Sequence, residues 1–321
     1  MSVSQTIEFR KNKLLPLLFG EHNAHLNYLE EKLGISIADR GNQLTISGDN
    51  QAIEAAEDVL NALWKKIEKK HDVGIAEIDA ELRFLKDKDQ KLMNGKKPKK
   101  MSKDKLVIKT KKKTIAPRSP NQEAYMQAIL DNEMVFGLGP AGTGKTYLAV
   151  AVGVAMFLEG QVERLIFARP AVEAGERLGF LPGDMKDKVD PYLRPIYDAL
   201  HDMMPYDFMM KKIESGDIEI APLAFMRGRT LSNAFVILDE AQNTTTTQMK
   251  MILTRLGESS RMVINGDLSQ TDLPVGVKSG LRDAVEILED VEDIQFIHFK
   301  KDDVIRHKLV SKIVNAYDQK K

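Results

Sequence analysis

Eight consecutive residues carry the clearest chemistry in this 321-residue chain: Gly139-Pro140-Ala141-Gly142-Thr143-Gly144-Lys145-Thr146. Their spacing is G-x-x-x-x-G-K-[ST], a glycine-rich turn that aims backbone N–H groups at a phosphate. A helix starting at its end adds a favourable dipole. In such a loop Lys145 reaches the β- and γ-phosphates of a nucleotide, and the Thr146 hydroxyl sits on Mg²⁺. A second group follows a run of five apolar residues, Ala234–Leu238, and reads Asp239-Glu240-Ala241-Gln242. Acids that close a buried strand need a metal or donors to meet. Asp239 is expected to hold Mg²⁺ through water, and Glu240 to polarise the attacking water as general base. A third group, Asn265-Gly266-Asp267-Leu268-Ser269-Gln270, puts Asp267 and Gln270 beside the γ-phosphate. There an amide orients water or reports phosphate loss.

These groups need strands that end together. Met134–Leu138 reads as a short buried strand before the loop, and residues 147–158 read as a helix packed tightly on a sheet. Further strands are predicted at 164–168, 218–222, 234–238, 262–265 and 294–299. Helices are predicted at 125–130, 189–204, 246–256, 277–288 and 302–317. Strands alternating with helices predict an α/β fold, a doubly wound parallel sheet of the P-loop NTPase (RecA-like) kind, with ligand at the strand C-terminal ends.

Ahead of this lies a smaller α+β unit over residues 1–90. It reads as a strand at 8–13, a helix at 25–33, and strands around 35–37 and 44–46. A long helix at 50–69 carries Ile53, Ala56, Val59, Leu60, Leu63 and Trp64 at helical spacing. Another helix is predicted at 70–89. Residues 91–113 hold eleven lysines and one acid, so they read as a linker, either a solvated spacer or a polyanion-binding arm. No aromatic residue interleaves those lysines, which argues against base stacking by the arm. The core domain is then 114–321.

The chain has no net charge, but residues 1–113 carry 23 Lys and Arg against 17 Asp and Glu, so a polyanion is expected on the front half. Cysteine is absent, which excludes disulfides and thiolate-bound metal within this chain and suits a reducing cytoplasm. No apolar run approaches the ~20 residues a membrane span needs, and the N-terminus has no apolar stretch of the signal-peptide kind. No membrane is expected as a partner.

Two resemblances extend this reading. Residues 10–68 resemble a KH domain, the small α/β RNA-binding module. Its G-x-x-G clamp is replaced here by Gly20-Glu21-His22-Asn23, and Glu21 is ill suited to a phosphate backbone. RNA binding by that route and a role in packing or oligomer contacts both stay open. DEAQ followed by GDxxQ is the order of superfamily-1 helicase cores. A wider set is similar to the PhoH family of ATPases: Pro120-Asn121-Gln122, the phosphate loop, Ala168-Arg169-Pro170, Gly183-Asp184, Arg227-Gly228-Arg229-Thr230, the strand ending in DEAQN, Asn265 to Pro274, and Asp303-Val304-Ile305-Arg306-His307. The resemblance implies hydrolysis of ATP or another NTP coupled to RNA, presumed single-stranded, with Mg²⁺. It suggests Arg306 as a finger at the γ-phosphate, Arg227 and Arg229 as second choices, and Gln122 as an adenine contact. Only one core fits after residue 114, so a finger from another subunit is expected, and with it a homo-oligomer, plausibly a ring. The alternative is a nucleotide-gated RNA-binding adaptor serving a separate ribonuclease.

Overall fold

The computed structural model describes residues 3–93, 106–170 and 185–305, with single positions 310, 313 and 316 beyond. It divides into two units, Met1–Asp104 with Arg118–Pro120, and Lys105–Pro117 with Asn121–Lys321.

The first unit runs β1 (Val3–Glu8), α1 (Leu15–Phe19), α2 (Ala24–Leu33), β2 (Ser36–Arg40), β3 (Gln43–Gly48), α3 (Asn50–Glu68) and α4 (Ile75–Met93). Its sheet is antiparallel, in the order β1-β3-β2. The strand predicted at 8–13 lies earlier, because Ile7 is the residue that pairs opposite Leu44 and the chain turns at Asn12–Leu14. On α3 the residues Ile53, Ala56, Val59, Leu60, Leu63 and Ile67 recur every three or four positions, and all are buried. Asp49 caps this helix by accepting from the Gln51 N–H at 3.1 Å. The turn between α1 and α2 has His22 and Asn23 at φ of 52° and 60°. The Asn23 amide donates to Asp39 there.

The second unit opens with a hairpin of β4 (Ile108–Lys109) and β5 (Thr114–Ile115), then α5 (Pro120–Asp131). Next come β6 (Met134–Leu138), α6 (Lys145–Leu158), β7 (Arg164–Arg169), α7 (Met185–Met203), α8 (Tyr206–Glu214) and β8 (Ile218–Pro222). The described elements end with β9 (Ala234–Leu238), α9 (Thr246–Leu253), β10 (Arg261–Gly266), α10 (Gly280–Leu288) and β11 (Ile294–His298). Six strands form one parallel sheet in the order β11-β6-β10-β9-β7-β8. Its two faces carry separate cores. One gathers Tyr125, Leu148, Val152, Ile196 and Leu200 from α5, α6 and α7. The other gathers Met249, Ile252, Leu281 and Ala284 from α9 and α10. A sheet covered on both faces explains why β6 and β9 are apolar at every position instead of alternating. This is the predicted doubly wound P-loop NTPase fold.

Two expectations change. The lysine-rich segment is not all linker, because Ile108 and Ile115 are buried in the core of the second unit. Its last lysines are engaged as well: Lys113 pairs with Asp202, Lys112 donates to the His201 carbonyl at 2.7 Å, and Lys111 stands 3.3 Å over the Phe208 ring. Helix α8, unanticipated, follows Pro205 and buries Met209. The final helix predicted at 302–317 opens as a single 3-10 turn, Lys301–Asp303, and most of the remainder lies outside the described residues. Among the described residues no helix is long and apolar enough to cross a membrane.

Candidate active site

Parallel strands put their C-terminal ends at one edge, and β6, β9 and β10 deliver the three motif groups there. The phosphate loop connects β6 to α6. Gly139, Gly142 and Gly144 have φ of 143°, 83° and 84°, a backbone that side chains other than glycine rarely adopt. Lys145 folds back over the loop, with Nζ donating to the Gly139 carbonyl at 2.6 Å and the Pro140 carbonyl at 2.9 Å. Burial pulls the Lys145 ammonium below its ordinary pKa, against the opposing pull of Asp267, Asp239 and Glu240. A phosphate would give that cation its anionic partner.

Thr146 Oγ1 donates to Asp239 Oδ1 at 2.7 Å, which joins the start of α6 to the end of β9. Asp239 is buried, and burial raises its carboxyl pKa, while the Thr146 bond and the nearby Arg169 and Lys145 oppose the rise. Asp267 is 7% exposed. Its Oδ1 accepts from the Ser269 N–H and hydroxyl, and its Oδ2 has no partner in the structure. A threonine hydroxyl, a buried carboxylate beside it and an orphaned carboxylate oxygen on the same wall are hard oxygen donors. They fit Mg²⁺, which takes one or two carboxylates and completes its shell with water and substrate phosphate. Among the described residues no group of three metal-ligating side chains forms an all-protein cage, which suits that mode.

Glu240 follows in a left-handed conformation, φ 53° and ψ 39°. Its Oε1 lies 3.0 Å from Arg169 Nη2, and its Oε2 accepts from Gln242 Nε2 at 2.5 Å. Gln242 itself is buried, and its Oε1 accepts from the Asp267 N–H at 3.1 Å. One amide therefore ties the end of β9 to the end of β10. Asn243 and Asp272 exchange two hydrogen bonds just beyond, Asn243 Nδ2 to Asp272 Oδ2 and the Asp272 N–H to Asn243 Oδ1. The sequence reading assigned neither Gln242 nor Asn243 a role. Their signal was being polar immediately after a buried strand that ends in two acids.

These residues wall one cavity of about 610 Å³. Ala141, Gly142 and Gly144 to Tyr147 form its floor; Asp239, Glu240, Asp267 and Gln270 one side; Pro195, Asp198, Ala199 and Asp202 of α7 the other. The structure thus brings Lys145, Thr146, Asp239, Glu240 and Gln270 together. Gln122 departs from the expectation of an adenine contact. It is 2% exposed beneath the phosphate loop, and its amide donates to the Thr143 carbonyl at 2.9 Å, so it braces the loop. Arg229 is held in a two-pronged pair with Glu219, at 2.6 and 2.7 Å, and is not poised as a finger. Arg306, like Gly183 and Asp184, lies outside the described residues.

A strap from the end of the chain supports the loop from behind. The Phe299 N–H donates to the Leu138 carbonyl, and the Ile305 N–H to the Gly142 carbonyl. Asp303, 4% exposed, accepts from the Asn121 amide at 2.7 Å. Asn121 and Asp303, 182 positions apart in sequence, meet beside the phosphate loop.

The PhoH-like protein family matches residues 114–318. A PhoH-like protein of Bacillus subtilis (strain 168) is 47% identical over 94% of this chain and 93% of its own length. One of Mycobacterium tuberculosis (strain ATCC 25618 / H37Rv) is 47% identical over 94% of this chain and 84% of its own. Protein PhoH of Escherichia coli (strain K12) is 46% identical over 63% of this chain and 58% of its own. Among solved structures the UvsW helicase of bacteriophage T4 superposes only loosely, at 13% identity and a TM-score of 0.36 over 67% of this chain and 77% of that one. With its phosphate loop, its paired acids and relatives matched over nearly their whole length, this chain belongs to the PhoH-like family.

Proposed function

We propose that this protein hydrolyses ATP with Mg²⁺ and couples the cycle to binding and remodelling of single-stranded RNA, unwinding included. The observation that carries the reading is the convergence of Lys145, Thr146, Asp239 and Glu240 on one cavity at the strand ends. In it the loop amides and Lys145 hold the β- and γ-phosphates. Thr146 and Asp239 hold the magnesium ion, which neutralises charge on the phosphates when bound. Glu240 accepts the proton of the attacking water as the water oxygen bonds to the γ-phosphorus and the bond to the bridging oxygen breaks. Gln270 orients that water.

The first unit supports the RNA half. Its β-α-α-β-β-α order, with a glycine turn between the paired helices, suits a KH-like fold. The exposed Glu21 in that turn weakens the usual clamp on a backbone, so the basic front half and the strand ends share the task. Arg306 is the finger of this reading, acting on the site of a neighbouring copy in a homo-oligomer, and a cysteine-free chain suits the cytoplasm.

Hydrolysis measured across a panel of RNAs tests the proposal. Wild type is expected to turn over ATP, and Lys145→Ala and Glu240→Gln to lose about 10²-fold or more. Equal rates in all three would refute it. A second reading, a nucleotide-gated adaptor for a separate ribonuclease, is favoured by one observation: Glu240 is engaged by Arg169 and Gln242, which suits slow turnover. RNA-stimulated hydrolysis separates the two, since an adaptor needs none.

A further inference from the structure

Glu240 can act as a base only if an oxygen faces the water at the γ-phosphate. Here one oxygen is paired with Arg169 at 3.0 Å and the other is held by Gln242 at 2.5 Å. The two contacts fix the plane of the carboxylate, and the guanidinium neutralises it. They differ in how easily they yield. Gln242 is buried and anchored twice more, through Oε1 to the Asp267 N–H and through its carbonyl to the Ser279 hydroxyl at 2.8 Å. Arg169 is a long side chain at the open end of β7, with 18% of its side chain exposed. The movable partner is therefore the arginine.

The strand order says what could move it. From the phosphate loop the order runs β6-β10-β9-β7, so Arg169 lies on the far side of Glu240. Three strand spacings put the end of β7 roughly 14 Å from the end of β6. That is beyond the γ-phosphate held by Lys145, but on the strand-end edge along which a polymer can pass. A backbone phosphate offers a guanidinium two oxygens in a matching fork, and competes with a carboxylate for it.

We propose that Arg169 is a latch on Glu240, opened when a phosphodiester of single-stranded RNA takes its guanidinium, so that RNA binding frees the base. Arg169 is thus a positioning residue, acting on the water through Glu240. This rests on the nucleotide-hydrolase reading above.

The experiment is steady-state ATP hydrolysis by the full chain, with and without a single-stranded RNA homopolymer, for wild type, Arg169→Ala, Arg169→Gln and Arg169→Lys. Wild type is expected to be stimulated about tenfold, a fraction of what a general base contributes. Arg169→Ala and Arg169→Gln are expected to run near the stimulated rate without RNA, with KM for Mg-ATP within about twofold and no further response to RNA. Arg169→Lys, which keeps the charge, is expected to restore most of the low basal rate. Binding of a non-hydrolysable ATP analogue by each variant checks that the pocket is intact. A fall in RNA-free rate in Arg169→Ala and Arg169→Gln overturns the latch, since it makes Arg169 an aid to the γ-phosphate. So does RNA stimulation that survives in both. Wild-type hydrolysis that RNA leaves unchanged overturns the latch alone, whereas a wild type that hydrolyses no nucleotide under either condition overturns the hydrolase reading with it.

Discussion

Replacing Gly139 by alanine should damage the phosphate loop through one contact. A Cβ at Gly139 would stand 2.6 Å from the Phe299 carbonyl oxygen and 2.8 Å from Phe299 Cβ. An ordinary carbon–oxygen contact is about 3.3 Å, so the loop and the strap must part by roughly 0.7 Å. The strap cannot give freely, because Phe299 is buried and its N–H is bonded to Leu138. Overpacking of this kind costs about 1–3 kcal/mol, and the positive φ of 143° adds about 1–2 kcal/mol for any residue with a Cβ. Gly160→Ala is the control. Gly160 has φ 72° and nothing within 4 Å of the added methyl, so it meets the backbone cost alone. The expected loss of Tm is at least twice as large for Gly139→Ala as for Gly160→Ala, at about 2–4 °C per kcal/mol for a domain of this size. Because the loop itself moves, ATP-analogue affinity should fall about tenfold or more in Gly139→Ala and hold in Gly160→Ala. Thermal unfolding and fluorescence titration with a labelled analogue read both. Equal Tm losses, or unchanged affinity in Gly139→Ala, would refute the idea that the strap sets the loop.

Other outcomes follow from the same geometry. Gln122→Ala should weaken nucleotide binding about 5- to 30-fold by freeing the Thr143 carbonyl, with the ratio of ATP to GTP affinity unchanged; a shift in that ratio would make Gln122 a base contact after all. Asp239→Asn should raise the Tm of the nucleotide-free protein at neutral pH while abolishing Mg²⁺-dependent hydrolysis. The sign follows from the raised carboxyl: the native state keeps this proton to higher pH than the unfolded chain, so the cost is absent below about pH 4 and grows as pH rises through the native pKa. The Tm difference between variant and wild type should therefore vanish in acid, and a variant less stable at neutral pH would contradict this. Tyr125→Phe should destabilise by about 1–3 kcal/mol in urea unfolding, because the Tyr125 hydroxyl is 2.5 Å from Asn265 Oδ1 and Asn265 Nδ2 is already unpaired.

Much of the fold was legible because a strand buried on both faces has to be apolar throughout. Met134–Leu138 and Ala234–Leu238 are the plainest cases, and both fall where they were predicted. The front strand was misplaced because residues 3–8 are mostly exposed and give little alternation to read. The hairpin in the lysine-rich segment was missed because two isoleucines, Ile108 and Ile115, decide it against a surrounding excess of charge.

The site divides along the same line. Lys145, Thr146, Asp239 and Glu240 announce themselves in sequence, since phosphate loops and acid-ended strands are local patterns whose chemistry depends on near neighbours. Gln122 and Arg229 could not be assigned that way, because a glutamine or arginine takes its role from the partner that the fold supplies, and those partners lie 21 and 10 positions away. The residues alone determined that a phosphate would be held and by what groups. Only the parallel sheet, by running β6, β10, β9 and β7 side by side, decided that Arg169 would close on Glu240 and that Asp303 would meet Asn121 behind the loop.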